Sequence, residues 1–131
     1  MEGKTDNELI AEFMGWERIS NEYSKNSFMV PNTYPQVWFD SGEIQCKPEK
    51  MSFHDRWDWL MPVVEKIESL QYKKYLYVIS GYTFVINGRC AEVMDIERDT
   101  ITKQQVGESK IEATYKAVVE FVKWYSRQKE K

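Results

Sequence analysis

The fold is decided by residues 75–96, which read YLYVISGYTFVINGRCAEVMDI. Three runs of β-branched and aromatic residues are separated there by Ser80-Gly81 and by Asn87-Gly88. An Asn-Gly pair between such runs is a strong signal for a two-residue hairpin turn, because both residues tolerate a positive φ. We therefore predict a three-stranded antiparallel meander with strands at 75–79, 82–86 and 89–96.

The register of the predicted hairpin decides which of its faces is buried. Closing it on Asn87-Gly88 pairs Ile86 with Arg89, and alternate side chains then share a face. The face that we expect to be buried carries Tyr82, Phe84, Ile86, Ala91 and Val93. The polar segment that follows, residues 98–109, is predicted to be a loop.

Two of the three predicted helices have clear N-terminal signals. Thr5 and Glu8 can form a capping box before an apolar stripe, and Gly15 is placed to end this first helix in the left-handed conformation. Ser109, or the residue before it, opens the last helix. That helix continues to about residue 128, with apolar residues at helical spacing.

Residues 55–70 form the other predicted helix. Pro62 is awkward in its interior because it lacks an amide N–H and crowds the preceding turn. We expect Asp58 to cap a helix that begins near Trp59, and the alternative is an earlier start with a kink. Short N-terminal strands are expected at 16–23, 28–30 and 36–39, between polar turns.

The totals fit a single domain that spans residues 1–131. Hydrophobic residues make up 42% of the chain and the formal net charge is −3, so there is no general attraction to nucleic acid or anionic lipid. No apolar run approaches the ~18 residues that a membrane span needs. The polar N-terminus lacks the apolar core of a secretory signal, and two cysteines do not make a disulfide framework. We expect a soluble cytoplasmic protein without a membrane partner.

The sequence offers little that points to catalysis or metal binding. His54 is the only histidine, and its neighbours in sequence rarely give the geometry of a catalytic triad. No metal-binding pair of the Cys-x-x-Cys or His-Glu-x-x-His type and no phosphate-binding glycine loop is present. We predict no catalytic residues, no metal and no cofactor. A small enzyme with a carboxylate site stays open as an alternative, and it rests on Glu92, Asp95, Glu97 and Asp99. The simpler explanation of these carboxylates is a solvated strand edge.

A second alternative is a single-stranded nucleic-acid-binding module. Aromatic side chains on strands can stack on bases beside basic residues, and the candidates are Tyr75, Tyr77, Tyr82 and Phe84, with Lys73, Lys74 and Arg89 around them. Aromatic residues are also good strand formers that pack beneath helices. Because the net charge is negative, we regard nucleic acid as an unfavoured partner.

Two helices carry more apolar residues than one buried stripe needs. At 100° per residue, the surplus on residues 55–70 and on the last helix lies well away from the main stripes. Side-by-side packing of the two helices is the simpler explanation of this surplus. The functional one is an exposed patch that binds a protein partner or forms a homodimer, and the candidate surface consists of Trp59, Val63, Leu70, Ala117 and Trp124.

Three phrases of the sequence resemble a known family. They are NELIAEFMG at 7–15, WDWLMPVVEKIE at 57–68 and KIEATYKAVVEF at 110–121. Together they resemble the phage ABA-sandwich domain family, small phage and prophage proteins of unknown function, although residues 24–50 are longer than that family's usual early hairpin. The resemblance implies helices about an antiparallel sheet, a phage or mobile-element origin and residence in the cytoplasm of a bacterial host cell.

We therefore predict an α+β fold in which an antiparallel sheet, a three-strand meander plus N-terminal strands, packs with three helices in an αβα-sandwich-like arrangement. The predicted function is that of a non-enzymatic accessory or interaction protein of a phage or integrated mobile element.

Overall fold

A computed structural model describes residues 5–19, 27–30, 45–46, 48, 51–74, 77–80, 82–95 and 100–129. Its helices are α1 (Asp6–Phe13), α2 (Trp57–Ser69) and α3 (Lys110–Lys129). Its strands are β1 (Arg18–Ile19), β2 (Ser27–Met29), β3 (Gln45–Cys46), β4 (Gln71–Lys74), β5 (Tyr77–Ser80), β6 (Thr83–Asn87), β7 (Cys90–Met94) and β8 (Thr100–Val106).

The main sheet contains β6, β7 and β8 in that order, and both pairings are antiparallel. The prediction of an α+β fold with three helices and a three-stranded antiparallel sheet is confirmed. β1, β2 and β3 form a second, smaller antiparallel sheet, and β4 pairs with β5. The strand predicted at 36–39 lies outside the described residues.

The hairpin between β6 and β7 has the predicted buried face but a different register. Asn87 pairs with Cys90, so the turn consists of Gly88 and Arg89 rather than Asn87-Gly88. Gly88 has a φ of 60°, in the left-handed region that glycine enters at little cost. Moving the turn by one residue changes each pairing partner by two, which leaves every side chain on its predicted face.

The meander continues into β8, where the sequence predicted a loop, and that prediction is wrong. β8 is an edge strand with few apolar side chains, and irregularities in its pairing with β7 interrupt the alternation. Its inward-facing Thr102 is buried, and the hydroxyl accepts a hydrogen bond of 3.2 Å from the amide of Val93. The first strand predicted for the meander is also reassigned, because Tyr77–Ser80 pairs with Gln71–Lys74 instead of with β6.

The caps of α1 and α3 form as predicted. The Glu8 amide donates to Thr5 Oγ1 at 3.2 Å, and the Glu8 carboxylate accepts from the Thr5 amide at 3.4 Å. Gly15 follows with a φ of 79°. Ahead of α3, Ser109 Oγ accepts from the amide of Glu112 at 3.2 Å.

The expected start of α2 is wrong. The helix begins at Trp57, so Asp58 lies in the first turn and Pro62 lies in the interior. The Asp58 carboxylate accepts two hydrogen bonds from the guanidinium of Arg56, at 3.0 and 2.6 Å, and does not cap the helix. A negative charge in the first turn still favours the helix, because it lies at the positive end of the helix dipole.

The core lies between α3 and the inner face of the main sheet. Residues buried there from both layers include Ala91, Val93, Ala113, Ala117 and Phe121. Gly107, between β8 and α3, permits the close approach, since a Cβ atom at that position would lie 2.6 Å from the amide nitrogen of Ala113. α1 and α2 also pack against α3, so α3 contacts both of these helices as well as the main sheet.

Candidate functional site

Three of the five residues of the candidate surface lie in the core, which corrects the prediction. Trp59, Val63 and Ala117 are fully buried. The Trp59 ring packs edge-on against Trp16 and Phe53, with ring centroids 6.0 and 5.3 Å away. The second apolar flanks of α2 and α3 are therefore covered within the molecule, and these three residues cannot contact a partner in this structure.

The other two residues of the candidate surface keep some exposure. Trp124 packs against Tyr82 and Phe121, with centroids at 6.1 and 5.7 Å, and it is partly buried against the core. Leu70 follows the last residue of α2 and is also partly buried. Leu70 lines a groove in the surface, and Trp124 is not among the lining residues.

We call this feature the three-helix groove, because α1, the end of α2 and the distal part of α3 each contribute to it. Its volume is about 300 Å³, and its lining residues are Leu9, Glu12, Phe13, Lys66, Leu70, Tyr125 and Ser126. Four of the seven are apolar or aromatic, and all four are partly buried against the core. The groove is thus a concave site whose walls mix apolar and polar groups, and its volume lies at the lower limit for binding sites in proteins.

Aromatic packing holds the groove walls in place. Phe13 meets Tyr125 and Phe121 edge-on, at centroid distances of 5.7 and 6.2 Å. Tyr125 stacks on Phe121 at 5.8 Å with an interplanar angle of 16°. Because Phe121 is fully buried, the two aromatic groove walls are supported from below by the core.

The two charged side chains of the groove are bound by groups of this chain. The Lys66 ammonium donates to the main-chain carbonyl of Phe13 and lies 4.8 Å from the centroid of the Phe13 ring. A cation is favourable at this position, since Phe13 ends α1 and the C-terminal end of a helix is negative. Glu12 accepts from Arg18 at 3.0 Å.

Arg18 joins this charge network to the start of α1. It also donates to Glu8 at 3.1 Å. These two hydrogen bonds, first the one to Glu8 and then the one to Glu12, raise the pKa of Arg18 above its usual value. The guanidinium is charged at neutral pH, as arginine is in general, and it donates a hydrogen bond to the Glu12 carboxylate.

His54 lies on the surface with neighbours that do not form a catalytic arrangement. Its imidazole is 3.8 Å from the Asp55 carboxylate and 6.1 Å, centroid to centroid, from the ring of Tyr115. Tyr115 donates from its hydroxyl to Asn7 Oδ1 at 2.8 Å. Burial, followed by the nearby charge of Asp6, raises the pKa of Tyr115 to about 12, so this hydroxyl stays protonated at neutral pH.

The carboxylates of the enzyme alternative do not converge among the residues described. Asp95 is buried at the end of β7, and Glu92 is partly buried on the opposite face of the same strand. Glu97 and Asp99 lie outside the described residues. In the described ranges, no group of three or more histidine, cysteine, aspartate or glutamate side chains is placed to hold a metal ion.

The aromatic residues of the nucleic-acid alternative face inward where their side chains are described. Tyr82 is buried against Phe121 at 4.9 Å, and Phe84 is partly buried against the core. Neither presents a face on which a base can stack. Tyr75 and the side chain of Tyr77 lie outside the part of the chain that the structure describes.

Both edges of the main sheet carry side chains that bond to the main chain. Glu68 accepts from the amide of Phe84 on β6 at 3.5 Å. On β8, the carbonyl of Lys103 accepts from Gln105 Nε2 at 3.1 Å, and that of Val106 accepts from Lys116 Nζ at 3.0 Å. Such contacts hinder the addition of a partner strand at these edges.

The three-helix groove was missed by sequence reasoning. Leu9, Phe13 and Tyr125 belong to stripes that predicted core packing, and only Leu70 was assigned to the candidate surface. The charged residues of the groove look like an ordinary solvated helix face. No helix in the described ranges combines the length and the apolar character needed to cross a membrane.

A scan against protein-family models, a search of curated proteins and a search of solved structures each found no match to the chain.

Proposed function

We propose that the protein is a non-enzymatic interaction protein that binds a protein partner through the three-helix groove. The observation that carries the proposal is a concave groove of about 300 Å³ whose apolar side chains pack against the core. Leu70, one of the residues first assigned to the interaction surface, lies in that groove. The binding role is therefore retained, while its location moves from the flanks of α2 and α3 to their ends.

The proposal favours binding over catalysis because of where the reactive side chains lie. His54 is exposed and has a carboxylate and a phenol ring nearby, and Cys90 lies on the outer face of β7. The groove itself contributes a lysine held by a carbonyl and a glutamate held by an arginine. None of these arrangements pairs a nucleophile with a general base.

The biological setting is part of the same proposal and rests on the three resembling phrases alone. A phage or integrated mobile element would use a protein of this kind as an accessory factor in the cytoplasm of its bacterial host. The neighbouring genes test this part: genes for phage structure or replication on both sides support it, and a purely metabolic neighbourhood contradicts it.

The experiment for the binding role places a photo-crosslinking amino acid at Arg127, an exposed position next to the groove-lining Ser126, in cells that encode the protein. A crosslinked partner is then purified, and its dissociation constant is measured for two variants. Leu70→Asp replaces an apolar wall of the groove with a hydrated carboxylate and should weaken binding at least about tenfold, since covering that polar group is costly. Val85→Asp is the matched control.

Val85 is a suitable control because it is an apolar residue with 38% exposure on the outer face of the main sheet. We expect Val85→Asp to bind like the wild type. Equal loss in both variants, or loss only in Val85→Asp, contradicts the groove as the binding site. Sedimentation velocity on the same proteins separates a distinct partner from a second copy: if the crosslinked partner is the protein itself, Leu70→Asp converts a dimer to a monomer.

A further inference from the structure

We infer that Asn87 is a site of spontaneous deamidation, which converts its neutral side-chain amide into a carboxylate as the folded protein ages. The inference does not depend on the three-helix groove. Asn87 is exposed at the end of β6, and Gly88 follows it in the turn. A Cβ atom added to Gly88 would meet no heavy atom within 4 Å, so the space around this turn is open to water.

The reaction uses the main-chain nitrogen of Gly88 as its nucleophile. This nitrogen loses its proton to a base in the solvent and attacks Cγ of Asn87, so that an N–Cγ bond forms. The Cγ–Nδ2 bond breaks, the nitrogen leaves as ammonia after taking up a proton, and a cyclic succinimide remains. Water then opens the ring at either carbonyl and yields aspartate or isoaspartate. One water molecule is consumed for each ammonia released, and no oxidant or reductant is needed.

The two reacting groups are free to meet. The described part of the chain shows no hydrogen bond from the Asn87 side chain or from the Gly88 amide. Glycine has no Cβ atom to hinder the attack, and its main chain rotates more freely than that of any other residue. Asn87 forms the last pair of the β6–β7 ladder, with Cys90, and the ends of such ladders open most readily. Local opening is therefore enough for the reaction.

Asn7 is the opposite case in the same molecule. Its Oδ1 accepts from the Tyr115 hydroxyl at 2.8 Å, and its Nδ2 donates to the carbonyl of Pro48 at 2.7 Å. The nitrogen that would attack it, the amide of Glu8, donates to Thr5 Oγ1 at 3.2 Å within the capping box. Because both reacting groups are held by other partners, Asn7 is an internal control for the reactivity of Asn87.

The modification changes the hairpin as well as its charge. Isoaspartate adds a methylene group to the main chain at position 87, which is incompatible with the pairing of that residue with Cys90. In the same turn, the carbonyl of Arg89 accepts from the amide of Gly107 at 3.0 Å. Gly107 in turn lies against the first residues of α3. We therefore expect isoaspartate at position 87 to weaken the bond between Arg89 and Gly107.

The test incubates the folded, full-length protein at mildly alkaline pH and follows each asparagine by mass spectrometry of digested samples. We expect residue 87 to gain the mass difference between NH₂ and OH at least about tenfold faster than Asn7, because its neighbour is an unhindered glycine. Asn87→Gln is the matched variant: its longer side chain has to close a larger ring, so residue 87 should stay an amide.

Three outcomes overturn the inference. They are conversion of residue 87 no faster than that of Asn7, conversion of Asn87→Gln as fast as that of the wild type, and conversion of the wild type only after unfolding in urea. The first and the third would show that the folded hairpin protects Asn87, and the second that ring closure onto Gly88 is not the route.

Hydrogen exchange at the Gly107 amide tests the structural consequence. The isoaspartate form is separated from aged wild-type protein by ion exchange, and Asn87→Asp supplies the same charge without the extra methylene group. We expect the Gly107 amide to exchange at least about fivefold faster in the isoaspartate form, and at the wild-type rate in Asn87→Asp. Equal exchange in the isoaspartate form and the wild type contradicts the loss of the Arg89–Gly107 bond.

Discussion

Replacing Trp59 with alanine distinguishes a core residue from an interface residue. If Trp59 belonged to an interaction surface, Trp59→Ala would abolish association and leave the free energy of unfolding nearly unchanged. The structure predicts a large loss of stability instead, because the ring is fully buried between Trp16 and Phe53. Trp57→Ala is the matched control, with the same residue type two positions earlier on α2 and 38% exposure.

The expected magnitudes follow from burial. Removing a fully buried tryptophan costs about 3–5 kcal/mol, which includes the cavity left behind. Trp57 keeps 38% of its surface exposed, so it buries roughly 100 Å², and at about 25 cal/mol per Å² its removal costs about 2–3 kcal/mol. Domains of this size are stable by about 5–15 kcal/mol, and Trp59→Ala therefore removes a large part of the total.

The assay is urea unfolding followed by far-ultraviolet circular dichroism, a signal that does not depend on the tryptophan that has been removed. We expect the unfolding free energy to fall by at least about 1 kcal/mol more for Trp59→Ala than for Trp57→Ala. Equal losses in the two variants, or a stable Trp59→Ala protein with an altered sedimentation coefficient, would refute the assignment of Trp59 to the core.

Three further predictions test other parts of the structure. Gly107→Ala should destabilise the protein by about 1–3 kcal/mol, as overpacking does, because the added Cβ atom would meet the main chain of α3. A loss of less than about 0.5 kcal/mol in the free energy of unfolding, measured by thermal unfolding, contradicts that contact. Thr5→Ala should cost about 1 kcal/mol by removing half of the capping box, whereas Thr83→Ala on the exposed face of β6 should cost less, which urea unfolding can compare. The ionisation of Tyr115 should have its midpoint near pH 12. It is followed as the difference in absorbance at 295 nm between the wild type and Tyr115→Phe. Since its folded pKa is raised above the unfolded value of about 10, its contribution to stability is complete below pH 10 and is lost as the pH rises toward 12.

The face of the central hairpin could be predicted from the sequence, but its register could not. Alternation of apolar and polar residues assigns Phe84 and Val93 to the same side whichever of two neighbouring turns closes the hairpin. The turn depends instead on which residues take the left-handed conformation. In the structure Gly88 occupies the first turn position, and Asn87 takes the last position of the ladder.

β8 could not be predicted from its composition, because an edge strand with a polar surface needs few apolar residues. Its buried position is filled by Thr102, whose hydroxyl bonds to the main chain of Val93. An alternation signal requires apolar residues at every second position, and the irregular pairing with β7 removes that pattern. The tertiary context alone makes this segment a strand.

The three-helix groove could not be predicted because it depends on where three helices end relative to one another. Leu9, Lys66 and Tyr125 are far apart in the sequence and meet only after folding. The sequence shows the surplus of apolar residues on α2 and α3. Packing of the two helices against each other was the simpler explanation of that surplus. Choosing between packing and an exposed surface required the burial of Trp59 and Ala117.

The central claim is that Trp59, Val63 and Ala117, on the second apolar flanks of α2 and α3, are core residues and are not part of a binding surface. The most direct measurement is ¹⁹F NMR of the protein labelled with 5-fluorotryptophan, recorded in H₂O and in D₂O, with resonances assigned from single Trp→Phe variants. We expect the Trp59 resonance to show no solvent isotope shift and the Trp57 resonance to show a clear one. A Trp59 shift as large as that of Trp57 would contradict the claim.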